Sequence, residues 1–397
     1  MRIKEIQSFN ADGGWRPFSF LKMTTDEDLV GWSEYSCGPW SPALPHIIRE
    51  LGQQVIGQDP RNFSVLRTLL SSLTRFAPGG LNCQAIAAIE NAAIDVAAKA
   101  AGMSVYQLFG GALRTEIDLY WTHCGSFRVK SPDLFERLMN RERLIDLNGM
   151  QRLGKEVAAS GFRAAKTNPI LFNADGATLL NPGFVPEGLD HAGTISHEIL
   201  VAIEAQMEAF RDGAGWSTEL MLDVNFAYSP PSVAQLEACI RQFSLRWLEY
   251  DHRGAANLAD LRQRMGLPLA SLETIYECVG YRPYLEKMAV DIAVVDILWN
   301  GFSEAIRIAN LCAVHGINVA PHNFYGPMAD LIAANFSAVV PNLEIMEFED
   351  DDVPWKYDLL TQPPIVVDGK MMLPAGAGWG ADINETALKE HPWGGRA

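Results

Sequence analysis

Hydrophobic positions near the start of the chain fall in short alternating runs: Ile3, Ile6 and Phe9, then Phe18, Phe20 and Leu21, then Leu29, Val30 and Trp32. Turn residues such as Gly13-Gly14 and Asp26 separate them, so the segment predicts the strands of a small antiparallel sheet. From about Pro45 to Gly111 the spacing becomes helical, most clearly in the Ala-rich run from Cys83 to Ala101 that Gly102 ends. Sheet followed by helices predicts an α+β unit over residues 1–116.

From Ile117 the pattern changes to short apolar strands with amphipathic helices between them. The strands are expected at Ile117 to Trp121, Arg163 to Lys166, Leu220 to Asp223, Trp247 to Glu249, Leu267 to Leu272, Ile292 to Asp296, Ile317 to Ala320 and Leu343 to Phe348. Eight such units are the count of a (β/α)8, TIM-like barrel, which would occupy residues 117–362 of an α/β protein. The stretch from Asn168 to about Ser196 is rich in Gly, Pro, Asn and Asp and shows no period, so it is expected to be a long functional loop after the second barrel strand. Residues 363–397 cannot supply another βα unit and are expected to pack back on the first domain, completing it.

Composition narrows the function. The 397 residues exceed the size at which one core stops growing, in keeping with two units. A formal net charge of −16 argues against nucleic acid or an anionic membrane surface as partner, because both would be repelled. The six cysteines are scattered, which fits reduced thiols. The strand-like N-terminus and the lack of any run of membrane-spanning length point to a cytoplasmic protein. A symmetric homo-oligomer is the default expectation for such an enzyme.

Three carboxylates each close an apolar strand: Asp223 in Leu-Met-Leu-Asp, Glu249 in Trp-Leu-Glu and Glu273 in Ala-Ser-Leu-Glu, 26 and 24 residues apart. Any one alone reads as a helix cap. Three in register on successive βα units would stand together at the C-terminal face of a barrel, where they repel unless a cation lies between them. Oxygen-only ligation is the preference of Mg2+, one per site. Asp296 and His322 close two further strands, 26 residues apart, and as neighbours would form a general base and its orienter. Lys166 ends the second strand and would place an ammonium near a substrate carboxylate, unless it merely snorkels to the surface. Glu347 ends the eighth strand and could exchange hydrogen bonds with substrate, with Glu344 and Glu349 as close rivals.

Together these residues resemble the mandelate racemase subgroup of the enolase superfamily, over nearly the whole chain. The specific matches are Gly161 to Lys166, the spacing of Asp223, Glu249 and Glu273, Asp296 with His322, and Ala320-Pro-His322 followed by Gly326-Pro327. Ala92-Ala-Ile-Asp95 through Gly110-Gly111, and the Gly-rich stretch from Pro374 to Ile383, add to them. The resemblance implies an α+β capping domain over a modified barrel, Mg2+ on Asp223, Glu249 and Glu273, and a His322–Asp296 base dyad. The shared chemistry is abstraction of the proton α to a carboxylate, giving a metal-stabilised enediolate.

Two departures shape the expected reaction. Racemases of the subgroup carry a second lysine where this chain has Asn168, and some sugar-acid dehydratases carry a histidine where it has Asn225. With His322 as the well-placed proton carrier, the arrangement resembles single-histidine dehydratases, which remove the α-proton and eliminate water on the same face to give a 2-keto-3-deoxy acid. The substrate is expected to be a small acid sugar or hydroxy acid. His123, at the end of the first barrel strand, is a possible second acid or a structural histidine. Asn168, Asn225 and His123 at the barrel mouth and Arg16 and Trp40 on capping loops are expected to contact substrate, Arg16 through a distal carboxylate. The alternatives are a racemase, epimerase or cycloisomerase, or an inactive binding protein on the same fold.

Overall fold

The computed structural model describes residues 1–38, 41–174, 176–180, 193–226 and 228–394. Strands β1 (Ile3–Asp12), β2 (Pro17–Thr25) and β3 (Val30–Tyr35) form an antiparallel sheet in the order β1-β2-β3. The helix Gly80–Ala100 lies across this sheet and is buried along nearly its whole length. Alanine makes that possible: at Gly31 a single added Cβ would come within 2.2 Å of the Ala92 carbonyl oxygen, so sheet and helix are in backbone contact.

The barrel follows. Strands β4 (Glu116–Trp121), β5 (Ala164–Thr167), β8 (Glu219–Asp223), β9 (Trp247–Glu249), β10 (Leu269–Ser271), β11 (Ile292–Asp296) and β12 (Asn318–His322) pair in parallel in that order, and β13 (Met346–Phe348) pairs back onto β4. A bridge between Val319 and Leu343 joins the β12 side to the segment leading into β13 and completes the ring. The interior holds a compact apolar layer: Tyr120, Ala164, Met221, Trp247, Ala270, Ile292, Val294, Ala320 and Ile345. Strand side chains alternate between faces, so the residue two places beyond an inward one also points inward. Lys166, Asp223, Glu249, Asp296, His322 and Glu347 each lie two places beyond a member of that layer. The apolar layer is therefore the floor of a pocket whose polar rim the same strands supply.

One expectation is corrected and another is extended. The segment after β5 is not structureless: β6 (Ile170–Asn173) and β7 (Gly176–Leu179) form a hairpin. Alternation in Ile-Leu-Phe and the Asn-Ala-Asp-Gly run carried that signal, but the surrounding Gly and Pro obscured it. Residues 181–192 of that stretch lie outside the described residues. The C-terminal segment also does more than cover the first domain. Within it, β14 (Val366–Val367) and β15 (Lys370–Met372) form a hairpin whose second strand pairs antiparallel with the first half of β4, while Trp379 packs under the capping sheet.

Candidate active site

The strand ends converge on a cavity of about 520 Å³ lined by Lys166, Asp223, Glu273, His322, Glu347, His123, Asn168 and Asn225, with Phe127, Trp299 and Phe324 among its apolar walls. His322 and Asp296 sit side by side on β12 and β11, whose register pairs them directly. Nδ1 of His322 lies 2.6 Å from Oδ2 of Asp296, and Nε2 lies 3.1 Å from Oε2 of Glu273. Asp296 also accepts a hydrogen bond from the Trp299 backbone N–H at 2.7 Å and one from the Tyr325 hydroxyl. Burial opposes protonation of His322, but Glu273 and Asp296 outweigh it and raise the imidazole above its usual range.

On the other side, Lys166 is fully buried, with Nζ 2.9 Å from Glu249 Oε2, 3.0 Å from Glu347 Oε1 and 3.9 Å from Asp223 Oδ2. Trp247 Nε1 donates to the same Glu249 oxygen at 3.0 Å. Burial and the facing Glu249 push Asp223 above the ordinary carboxylate range, and burial does the same to Glu273. For Glu347 burial is overcome by Lys166 and His322, which hold its carboxyl well below that range. Glu347 ties two turns together: it accepts from Thr122 Oγ1 at 2.5 Å and from the Asn323 backbone N–H at 2.7 Å.

The donor set fits a hard divalent cation. Asp223, Glu249 and Glu273 present only oxygens, and Glu249 Oε1 is buried without a hydrogen-bond partner among the described residues. Among the described residues no three acidic, histidine or cysteine groups are already gathered at ligand distance of one point. Their oxygens lean instead on Lys166, Trp247 and His322.

Residues 13–110 match the model of the mandelate racemase / muconate lactonizing enzyme N-terminal domain, and residues 149–387 match that of the enolase C-terminal domain-like family. The chain belongs to the enolase superfamily. It is similar to a Burkholderia xenovorans strain LB400 protein described as an L-alanine-DL-glutamate epimerase and solved bound to magnesium and fumarate. That pair shares 36% identity at a TM-score of 0.94, over 98% of this chain and 96% of the other. Curated relatives include the D-xylonate dehydratase of Haloferax volcanii, 25% identical over 98% of this chain and 88% of its own. Another is the D-galactarolactone cycloisomerase of Agrobacterium fabrum, 29% identical over 94% of this chain and 91% of its own. The chain is thus an enzyme of this superfamily, with acid-sugar dehydratases among its relatives.

For this superfamily member the remaining expected contacts sort by what they touch. Asn225, which lines the cavity, has a left-handed backbone (φ 56°) and a buried Nδ2 without a partner among the described residues. Asn168 is committed to the protein: its Oδ1 accepts from Ser126 Oγ at 2.8 Å and its Nδ2 donates to the Asp223 carbonyl at 3.2 Å. Arg16, expected to meet a distal carboxylate, already has partners within the protein. Its guanidinium donates to the carbonyls of Phe324 and Tyr325 and to Asp352, and it lines an adjoining cavity rather than the one holding His322. Trp40 lies outside the described residues. Of the rivals to Glu347, Glu344 is turned away to Arg246 and Asn318, and Glu349 meets His123. Tyr325 and Thr122 carry no signal in the sequence, because neither stands at a position that motif spacing marks.

Proposed function

We propose that this enzyme removes the proton α to the carboxylate of an acid sugar and eliminates the β-hydroxyl as water, giving a 2-keto-3-deoxy acid. The observation that carries the reading is the His322–Asp296 pair opening beside Glu273 in the cavity. Asp223, Glu249 and Glu273 would hold one Mg2+, which when bound supplies positive charge against the negative charge growing on a substrate carboxylate as its α-proton leaves. Asp296 holds the Nδ1–H of His322, which leaves Nε2 as the nitrogen that takes the proton. Lys166, buried between Glu249 and Glu347, brings a fixed ammonium to the same charge without needing to reorganise. The dehydratases among the curated relatives favour loss of water.

Epimerisation is the second reading, favoured by the 36% identical Burkholderia protein and by a second histidine, His123, on the same cavity. The experiment is incubation with Mg2+ and a panel of mono- and diacid sugars, with semicarbazide detection of 2-keto acid and NMR detection of deuterium exchange at the α-carbon. His322→Asn is expected to lower both signals by at least ~100-fold, a typical contribution of general-base catalysis. Inversion at the α-carbon without keto acid would replace dehydration by epimerisation.

A further inference from the structure

His123, two residues beyond the end of β4, has a left-handed backbone conformation, φ 45°, which non-glycine residues rarely adopt and which functional sites tend to retain. Two hydrogen bonds hold the turn: Ser126 N donates to the His123 carbonyl at 2.7 Å, and Cys124 N donates to the Lys166 carbonyl at 2.8 Å. The imidazole is thereby set on the wall of the same cavity as Lys166 and His322. Phe324 contacts both histidines, with centroid separations of 5.3 Å to His123 and 5.2 Å to His322, and Phe127 lies 4.9 Å from His123. Behind the ring, Nδ1 is 3.1 Å from Oε2 of Glu349, a carboxyl with 1% of its surface exposed. Nε2 is the ring nitrogen that Glu349 does not engage.

Resting on the dehydratase reading above, we propose that His123 and Glu349 form a second proton carrier, which protonates the departing β-hydroxyl while His322 takes the α-proton. In the resting pair Glu349 is the neutral acid, donating to Nδ1, and His123 carries its proton on Nε2. Both groups' environments support this neutral form. Burial lowers the imidazole to about 3, and burial with the neighbouring Asp351 lifts the Glu349 carboxyl well above its usual range.

The step balances without any outside reactant. The α C–H bond breaks and its proton goes to His322 Nε2. The electron pair forms the Cα–Cβ double bond as the Cβ–O bond breaks. The departing oxygen takes the Nε2 proton of His123 and leaves as water, and Nδ1 takes the Glu349 proton, leaving a carboxylate. The enol tautomerises to the 2-keto acid; His322 gives its proton to solvent, and a solvent proton taken up at His123 Nε2 sends the Nδ1 proton back to Glu349, which restores the pair. Glu347 holds both arms in register, because it binds Thr122, just before His123, and Asn323, just after His322.

The first test is independent of substrate. 15N-histidine NMR of the Mg2+-loaded protein, with His123→Asn used to assign the signal, should show His123 neutral with hydrogen on Nε2 at pH 7. Glu349→Gln, whose amide also donates to Nδ1, should keep that tautomer, and Glu349→Leu should lose it. A proton on Nδ1 alone, or an imidazolium at pH 7, overturns the proposal. The second test uses D-xylonate, D-galactonate and D-gluconate in D2O. His123→Asn should lose at least ~100-fold in 2-keto acid formation yet keep deuterium exchange at the α-carbon, whereas His322→Asn loses both. Retention of both signals in a folded His123→Asn, or loss of both, overturns the proposal. If the wild type forms no keto acid and exchanges no deuterium with these sugars, the dehydratase reading fails, and the NMR test still decides the state of the pair.

Discussion

Asp296 receives three donors at once, the His322 imidazole, the Trp299 backbone and the Tyr325 hydroxyl, so its carboxylate is fixed as an acceptor toward Nδ1. Asp296→Asn would put an amide in that place and favour the wrong tautomer of His322. Turnover is expected to fall by about 10³-fold or more with little change in KM, as steady-state kinetics on a variant with unchanged circular dichroism would show. Asp223 tests the cation site by a different route. It is buried against Glu249 and raised in pKa, so its charge is unfavourable by itself. Asp223→Asn is expected to raise the melting temperature in EDTA and to abolish the further rise on adding Mg2+. A variant that keeps the Mg2+ shift would remove Asp223 from the ligand set.

Between elements, one contact couples the capping sheet to the turn that follows the base. Glu34, on β3, accepts from the backbone N–H groups of Gly326 (2.5 Å), Met328 (3.1 Å) and Ala329 (3.0 Å), at the start of the helix Pro327–Val339. Arg16 grips the preceding carbonyls of Phe324 and Tyr325, so the turn after His322 is held from above by two capping residues. Burial pushes Glu34 up to about 7 despite those donors. A raised carboxyl keeps its proton in the folded state after the unfolded chain has released it. Its contribution is therefore largest below about 4.5 and lost as pH rises toward about 7. Glu34→Gln has no such titration. Between pH 5 and pH 8, urea denaturation should show the variant gaining on the wild type by about 2–3 kcal/mol, and a constant difference would refute the coupling. At this scale the sequence was only partly legible. Periodicity locates β3 and β12, yet nothing in it links Glu34 to a helix start nearly three hundred residues later.

Across the whole molecule, the C-terminal segment makes capping domain and barrel interdependent. Trp379 is completely buried; its Nε1 donates to the Trp32 carbonyl at 2.9 Å and its backbone N–H to Asp95 at 3.0 Å. Its ring centroid lies 5.3 Å from that of Phe302, at the start of a barrel helix. Lys99, beside Asp95 in the capping helix, pairs with Asp382 of the same tail. Trp379→Ala is expected to cost about 3–5 kcal/mol, read as a lower urea midpoint, and to loosen both domains together. Independent unfolding of an intact barrel would show that the tie is local.

The sequence by itself determined the order of the capping sheet, its helix and the eight barrel strands, and where those strands end. The reason is local: a period of two places every chemical group on the face of the apolar residue two positions before it, as Val294 precedes Asp296 and Ala320 precedes His322. It therefore marked Asp223, Glu249, Asp296 and His322 as neighbours at one barrel mouth. Only the tertiary structure decided which groups meet across the chain. Arg16 meets carbonyls 308 and 309 positions away, and Glu349 stands behind His123 across 226. Such pairings depend on how the ring closes and how the cap sits on it. A one-dimensional pattern carries the face of each residue, but not the partner it meets through space.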